Sequence, residues 1–393
     1  MTRTTKASTS DAQGSSDAIR DILAATSAPG VLSMAGGLPA PDSFPVAELG
    51  AVLDEVMSSA AASALQYGPV EGVPAMREVF ADRVGPPVTP DQVIVTSGSH
   101  QGLALTTDVL LSPGDVVALA DPCYLGAVRA FRRADADLLP VPSDTDGMDT
   151  EFLAARLRQG ARCALVYVVP NFHNPTGAVL SEGRRRHLAA LAEHYGFLIV
   201  EDDPYADLSF DGTLLPPVGA HTDRVIRLLS LSKTLCPGFR VAGLVAPPAL
   251  VADLATAKQD ADLQTNTFGQ HVLSRLVGRP DFLPRHLTRL QALYRSRATQ
   301  LAALLAPLDW LTFTHPRGGL FLWATTGPTS ADSTTLARTA LAHGLAVVPG
   351  PPFCVRHDGT RDLRLSFATL SPEELPEAVR RLANAHALAS APG

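Results

Sequence analysis

From Gln92 onward the chain alternates short apolar runs with amphipathic helical stretches. The runs at 93–96, 116–119, 164–169, 197–200, 225–229 and 243–246 are apolar at consecutive rather than alternate positions, so each predicted strand is buried on both faces. Strands of this kind separated by helices predict a largely parallel sheet between helix layers, an α/β architecture. Ahead of them, residues 1–15 are rich in Thr, Ser, Ala and Gly and are expected to form a disordered tail. Residues 16–26 read as a short helix with Ile19, Ile22 and Leu23 on one face. The glycines and prolines of 31–45 interrupt that period and predict an extended arm, after which the helical pattern resumes at Val46. A long helical region from 251 to about 305 leads into a second unit, with strands expected at 319–323, 346–348 and 363–367. The expected division is therefore a tail (1–15), a helix and arm (16–45), a large domain (46–285) and a smaller C-terminal α/β domain (286–393).

Composition narrows this picture without changing it. At 393 residues, 46% hydrophobic and 18% charged, the chain has apolar material for more than one core. Its net charge of −7 comes with scattered arginines, so nucleic acid is not an expected partner. No apolar run reaches the roughly 18 to 20 residues that a membrane helix needs, nor do the first residues form the apolar core of a signal peptide, which leaves the cytoplasm as the expected location. Cys123, Cys163, Cys236 and Cys354 are far apart and read as free thiols, with no metal site expected. Lysine occurs only at Lys6, Lys233 and Lys258, so a search for a lysine nucleophile has one good candidate in a motif, Lys233.

The polar motifs follow the apolar runs, where the loops of an open α/β sheet hold ligands. Ser97-Gly98-Ser99-His100-Gln101 precedes a helical pattern and suits a phosphate at a helix N-terminus, although an ordinary N-cap would look similar. Pro170-Asn171-Phe172-His173-Asn174-Pro175-Thr176-Gly177 is a turn whose prolines and glycine leave Asn174 unexplained. Glu201-Asp202-Asp203-Pro204-Tyr205 ends a buried strand with carboxylates, either a solvated strand end or a partner for a protonated heterocyclic nitrogen. In Ser230-Leu231-Ser232-Lys233-Thr234-Leu235-Cys236-Pro237-Gly238-Phe239-Arg240, the lysine stands among hydroxyls with an arginine seven residues on. That set suits a cofactor carrying an aldehyde and a phosphate.

These motifs, together with A-G-G-L-P-A-P-D-S-F-P, L-Q-Y-G-P-V-E-G, N-P-T-G, D-D-P-Y and L-R-L-S-F in this order, span nearly the whole chain. The sequence resembles the class I/II aminotransferases of pyridoxal-phosphate (PLP) fold type I, in the branch of the 2-aminoadipate and kynurenine aminotransferases. The resemblance implies an aspartate-aminotransferase-like fold, with a mostly parallel sheet between helices in a large domain and a smaller α/β domain beside it. It also implies that Lys233 carries PLP as a Schiff base, that Asp202 pairs with the pyridine nitrogen, and that Asn174 and Tyr205 hydrogen-bond the ring hydroxyl. Tyr124 would stack on the ring, and Ser99, His100, Gln101, Ser230, Ser232 and Arg240 would hold the phosphate. Tyr67 would reach the phosphate of a neighbouring subunit, which makes a homodimer the expected state. Arg364 would grip the substrate α-carboxylate, with Gly37 and Asn174 also at the substrate. Arg20 stands where this branch has an arginine for a distal carboxylate; a helix-surface arginine is the other reading. The branch usually has glutamine where this chain has His173, which is either a packing residue or a titratable group beside the cofactor.

Three functions share parts of this pattern. The first is an aminotransferase that exchanges an amino group between an L-amino acid and a 2-oxo acid. The second is an enzyme of the same fold that uses the substrate carbanion for γ-elimination or replacement, cyclisation or oxidation. The third is the PLP-binding module of a transcription factor, for which the polar residues before the first predicted helix leave no room for a DNA-binding domain.

Overall fold

The computed structural model describes residues 29–391; the helix expected at 16–26, with Arg20, and the tail lie outside them. All six apolar runs become strands of one eight-stranded sheet. Its members are β2 (Val93–Thr96), β3 (Val116–Asp121), β4 (Asp137–Asp144), β5 (Gly147–Met148), β6 (Cys163–Val168), β7 (Leu198–Asp203), β8 (Val225–Ser230) and β9 (Ala242–Val245). The order across the sheet is β2-β9-β8-β7-β6-β3-β4-β5. Pairing is parallel from β8 through to β4, and β9 runs antiparallel to both of its neighbours. The sequence reading did not include β4. Its Pro140 and Pro142 break the apolar pattern, and they are tolerated because beyond β4 only the two-residue β5 pairs with it.

The helical region after 251 is three helices, Pro248–Asp262, Thr267–Val277 and Phe282–Leu305. The breaks fall at Leu263 and Asp281, both at positive φ (64° and 56°), and Asn266 caps the second helix by accepting from Gly269 N at 2.9 Å. The last of these helices runs unbroken across 285/286, so the expected domain boundary lies inside a continuous helix. Beyond it, β10 (Leu311–Phe313), β11 (Phe321–Thr326), β13 (Val348–Pro349) and β14 (Asp362–Ser366) form a second, antiparallel sheet in the order β10-β11-β14-β13.

The arm bridges the two sheets, with Met34 O accepting from Ser366 N of β14 at 2.8 Å and Gly37 O accepting from Lys233, just after β8, at 2.8 Å. Its β1 (Leu32–Ser33) pairs in parallel with β12 (Leu345–Ala346). The Tyr294 hydroxyl accepts from Ala40 N at 3.0 Å, and Arg297 forms an ion pair with Asp42 at 2.8 Å. The bond from Lys233 holds Gly37 at the carboxyl end of β8, among the loops that carry the polar motifs of the large sheet.

Candidate active site

Loops after five strands meet in a cavity of about 270 Å³. Lys233, which follows β8, reaches it with its amine donating to Gly37 O of the arm at 2.8 Å. Burial, with Arg364 and Arg240 nearby, pushes this ammonium down to about 8. Gly37 has to be a glycine here, because a Cβ at this position would stand 2.7 Å from the Phe321 ring.

Asp202 enters the cavity from the end of β7. Its Oδ2 accepts a hydrogen bond from the Tyr167 hydroxyl at 2.8 Å. Its Oδ1 is buried and has no hydrogen-bond partner among the described residues. Burial pushes this carboxyl up to about 6, against the lowering effect of the Tyr167 bond and the Lys233 charge. A buried carboxylate oxygen without a donor is costly, and a protonated ring nitrogen would satisfy it.

A phosphate cradle lies at the end of β2. Gly98 has φ 93°, and a Cβ there would come within 2.2 Å of Arg240 Nη2. Arg240 itself sits in the left-handed region (φ 54°), a conformation rarely held without a local constraint. Its Nη2 donates to Ser97 O at 3.1 Å. Ser99 and His100 begin the helix Ser99–Leu110 and line the cavity together with Ser230 and Ser232. Helix N-terminal N–H groups, hydroxyls and one guanidinium make a donor set suited to a phosphate dianion. Gln101 does not line the cavity. Its side chain lies behind the turn, accepting from Ser97 N at 2.7 Å and donating to Asp262 at 2.7 Å, so it braces the cradle rather than facing it.

Arg364 projects from β14 into the same cavity. Its Nη1 donates to Asn174 Oδ1 at 2.9 Å and its Nη2 to Ala35 O at 2.5 Å. The guanidinium lies 4.3 Å from the Phe321 ring centroid and 4.9 Å from that of Phe353. Burial pushes it down to about 10, and among the described residues it forms no ion pair with a carboxylate. Tyr124 and Tyr205 complete the walls, with burial raising both phenols.

Two residues singled out by the sequence lie outside the cavity. Tyr67 is 77% exposed, in a shallow hollow formed with Leu65, Gln264 and Phe268 outside the cavity. His173 is buried and does not line the cavity; its Nδ1 pairs with Thr176 Oγ1 at 2.9 Å, and burial pushes the ring down to about 4. That geometry is a packing histidine, neutral at ordinary pH. The sequence reading missed Phe321 and Phe353, which sandwich the arginine, and Tyr167. Only Tyr167 left a signal, a phenol inside an apolar strand that must find a partner.

The chain and its fold have counterparts among known proteins. The model for "Aminotransferase class I and II" matches residues 42–382. The chain is 36% identical over 377 residues to aromatic-amino-acid aminotransferase 1 of Thermococcus litoralis, covering 93% of this chain and 90% of that one. It is 38% identical to 2-aminoadipate transaminase of Thermus thermophilus, covering 93% of each. The solved kynurenine aminotransferase of Pyrococcus horikoshii, in complex with PMP, superposes with a TM-score of 0.89 at 35% identity over 93% of each chain.

Proposed function

Since the chain belongs to the class I and II aminotransferases and is a PLP-dependent aminotransferase of fold type I, we propose a role for each residue of the cavity and a class of amino donor. One observation carries the assignment: the cavity that holds the lysine amine also holds a buried carboxylate oxygen and a buried guanidinium Nε, both without partners among the described residues. When bound, PLP supplies an aldehyde carbon that takes up an amino group and a protonated ring that draws electrons from the substrate α-carbon. Lys233 Nζ holds the cofactor and, once displaced, takes the proton from the substrate Cα. Asp202 Oδ1 keeps the ring nitrogen protonated, while Asn174 and Tyr205 bond the ring hydroxyl and Tyr124 covers the ring face. Ser99, His100, Ser230, Ser232 and Arg240 hold the phosphate, with Gln101 bracing the turn behind them. Arg364 orients the α-carboxylate beside Gly37 and Asn174.

We take the donors to be acidic and aromatic L-amino acids, the classes named for the relatives, with Arg20 engaging a distal carboxylate. Mixing the holoenzyme with a panel of amino acids is expected to convert the cofactor spectrum to its amine form with these donors, and a 2-oxo acid should restore it. A panel in which none converts, while a donor with a γ-leaving group loses that group, would overturn the reading. Arg20→Ala should raise KM for acidic donors about tenfold or more, equivalent to about 1.4 kcal/mol, and leave apolar donors nearly unchanged. Equal effects on both classes would return Arg20 to the helix surface.

We further propose a homodimer in which Tyr67 completes the phosphate site of the other subunit. The exposure of Tyr67 beside exposed Leu65 supports a covered face there. Tyr67→Phe is then expected to weaken PLP binding at least about tenfold, the loss of one bond to a charged group. A fully active monomer in sedimentation would contradict this. Domains at 46–285 and 286–393 joined through the long helix, and a cytoplasmic location, belong to the same proposal; four unpaired thiols support the latter.

A further inference from the structure

Tyr167 stands outside the cavity and takes no part in the roles above. On the parallel strands β6 and β7 it is in register with Val200, so Asp202 lies two residues further along on the same face. The phenol spans that diagonal and donates to Asp202 Oδ2 at 2.8 Å. Tyr167 is only 1% exposed, and the Phe131 ring packs edge-on against it at 5.7 Å between centroids, which fixes where its hydroxyl can go. Burial and the neighbouring Asp202 both raise its pKa, so the hydroxyl keeps its proton and remains a donor.

A carboxylate held by one oxygen in this way has a fixed plane. Its other oxygen, Oδ1, is the one left buried without a partner among the described residues. The Lys233 amine does not compete for Asp202, since it donates to Gly37 O. A tyrosine serving only as core packing could have satisfied its hydroxyl on any backbone carbonyl; this one is spent on the carboxylate that faces the cavity.

We propose that Tyr167 is a positioning residue, whose hydroxyl orients Asp202 so that Oδ1 meets the cofactor ring nitrogen and whose hydrogen bond holds the carboxylate in its charged form. The proposal rests on the assignment of Asp202 to that nitrogen. Donation to Oδ2 lowers the proton affinity of the carboxylate, and the shared proton therefore stays on the ring.

The test measures binding of PLP, and of an analogue with a C–H group in place of the ring nitrogen, to cofactor-free protein. Wild-type protein is expected to prefer PLP. Tyr167→Phe, which removes one oxygen, should reduce that preference on the order of tenfold while leaving affinity for the analogue nearly unchanged. In the Asp202→Asn background the same substitution should have no further effect. With ring-15N-labelled PLP bound, the nitrogen resonance should move from the protonated toward the unprotonated position in Tyr167→Phe. Equal losses for PLP and analogue, or an unchanged preference and resonance, would make Tyr167 a packing residue and overturn the inference. If wild-type protein does not prefer PLP over the analogue, the assignment of Asp202 itself fails.

Discussion

Lys233→Ala is expected to abolish borohydride-fixable attachment of PLP to the protein and to lower the transamination rate by at least about 10²- to 10⁴-fold, the range for losing a positioned general base. The fold should survive, since among the described residues the amine makes one hydrogen bond, to Gly37 O. Among the described residues no other lysine is placed to substitute, since Lys258 is buried and paired with Asp262. The same residue predicts a pH dependence. Capture of PLP requires the neutral amine, and burial beside Arg364 and Arg240 lowers the ammonium to about 8. The rate of capture by cofactor-free enzyme should therefore rise with pH through about 8 and level off above it, where an ordinary lysine would still be climbing. Mass spectrometry after borohydride treatment checks the first expectation and stopped-flow absorbance the second. Unchanged fixation of PLP in Lys233→Ala would sink the assignment.

How much of this site was legible beforehand depends on the range over which each feature is encoded. Strands β2, β3, β6, β7, β8 and β9 announce themselves because a strand buried on both faces is a local apolar run, whereas β4 carries prolines that only its place near the sheet edge permits. Lys233, Asp202 and Asn174 stand in short motifs and were readable as residue types. What sequence could not give is the way distant segments pair. Gly37 meets Lys233 across 196 positions, and Asn174 meets Arg364 across 190. Gln101 was expected at the phosphate on family resemblance, and its engagement with Asp262 depends on a helix 161 residues away. Tyr167 read as one more apolar strand residue, because its hydroxyl gains meaning only when β7 lies beside β6 in register.

The same long-range assembly governs the prediction for Arg364. Its guanidinium is buried between Phe321 and Phe353 and held by Asn174 Oδ1 and Ala35 O, so its direction is set before any substrate arrives. Among the described residues no carboxylate pairs with it, and an incoming α-carboxylate would complete a bidentate pair. Removing one partner of a buried ion pair costs about 3–5 kcal/mol, since the other charge is left without compensation. Arg364→Ala is accordingly expected to lower kcat/KM for amino acids by roughly a hundredfold to several thousandfold. Arg364→Lys should recover only part of that loss, because an ammonium keeps the charge but not the planar fork that Asn174 and Ala35 orient. A structural defect would slow every donor alike. The discriminating comparison is therefore a donor amine that lacks the α-carboxylate: its slow reaction should be little changed in Arg364→Ala, while that of the parent amino acid collapses. Parallel losses for amine and amino acid would mean that Arg364 supports the arm through Ala35 rather than gripping the substrate.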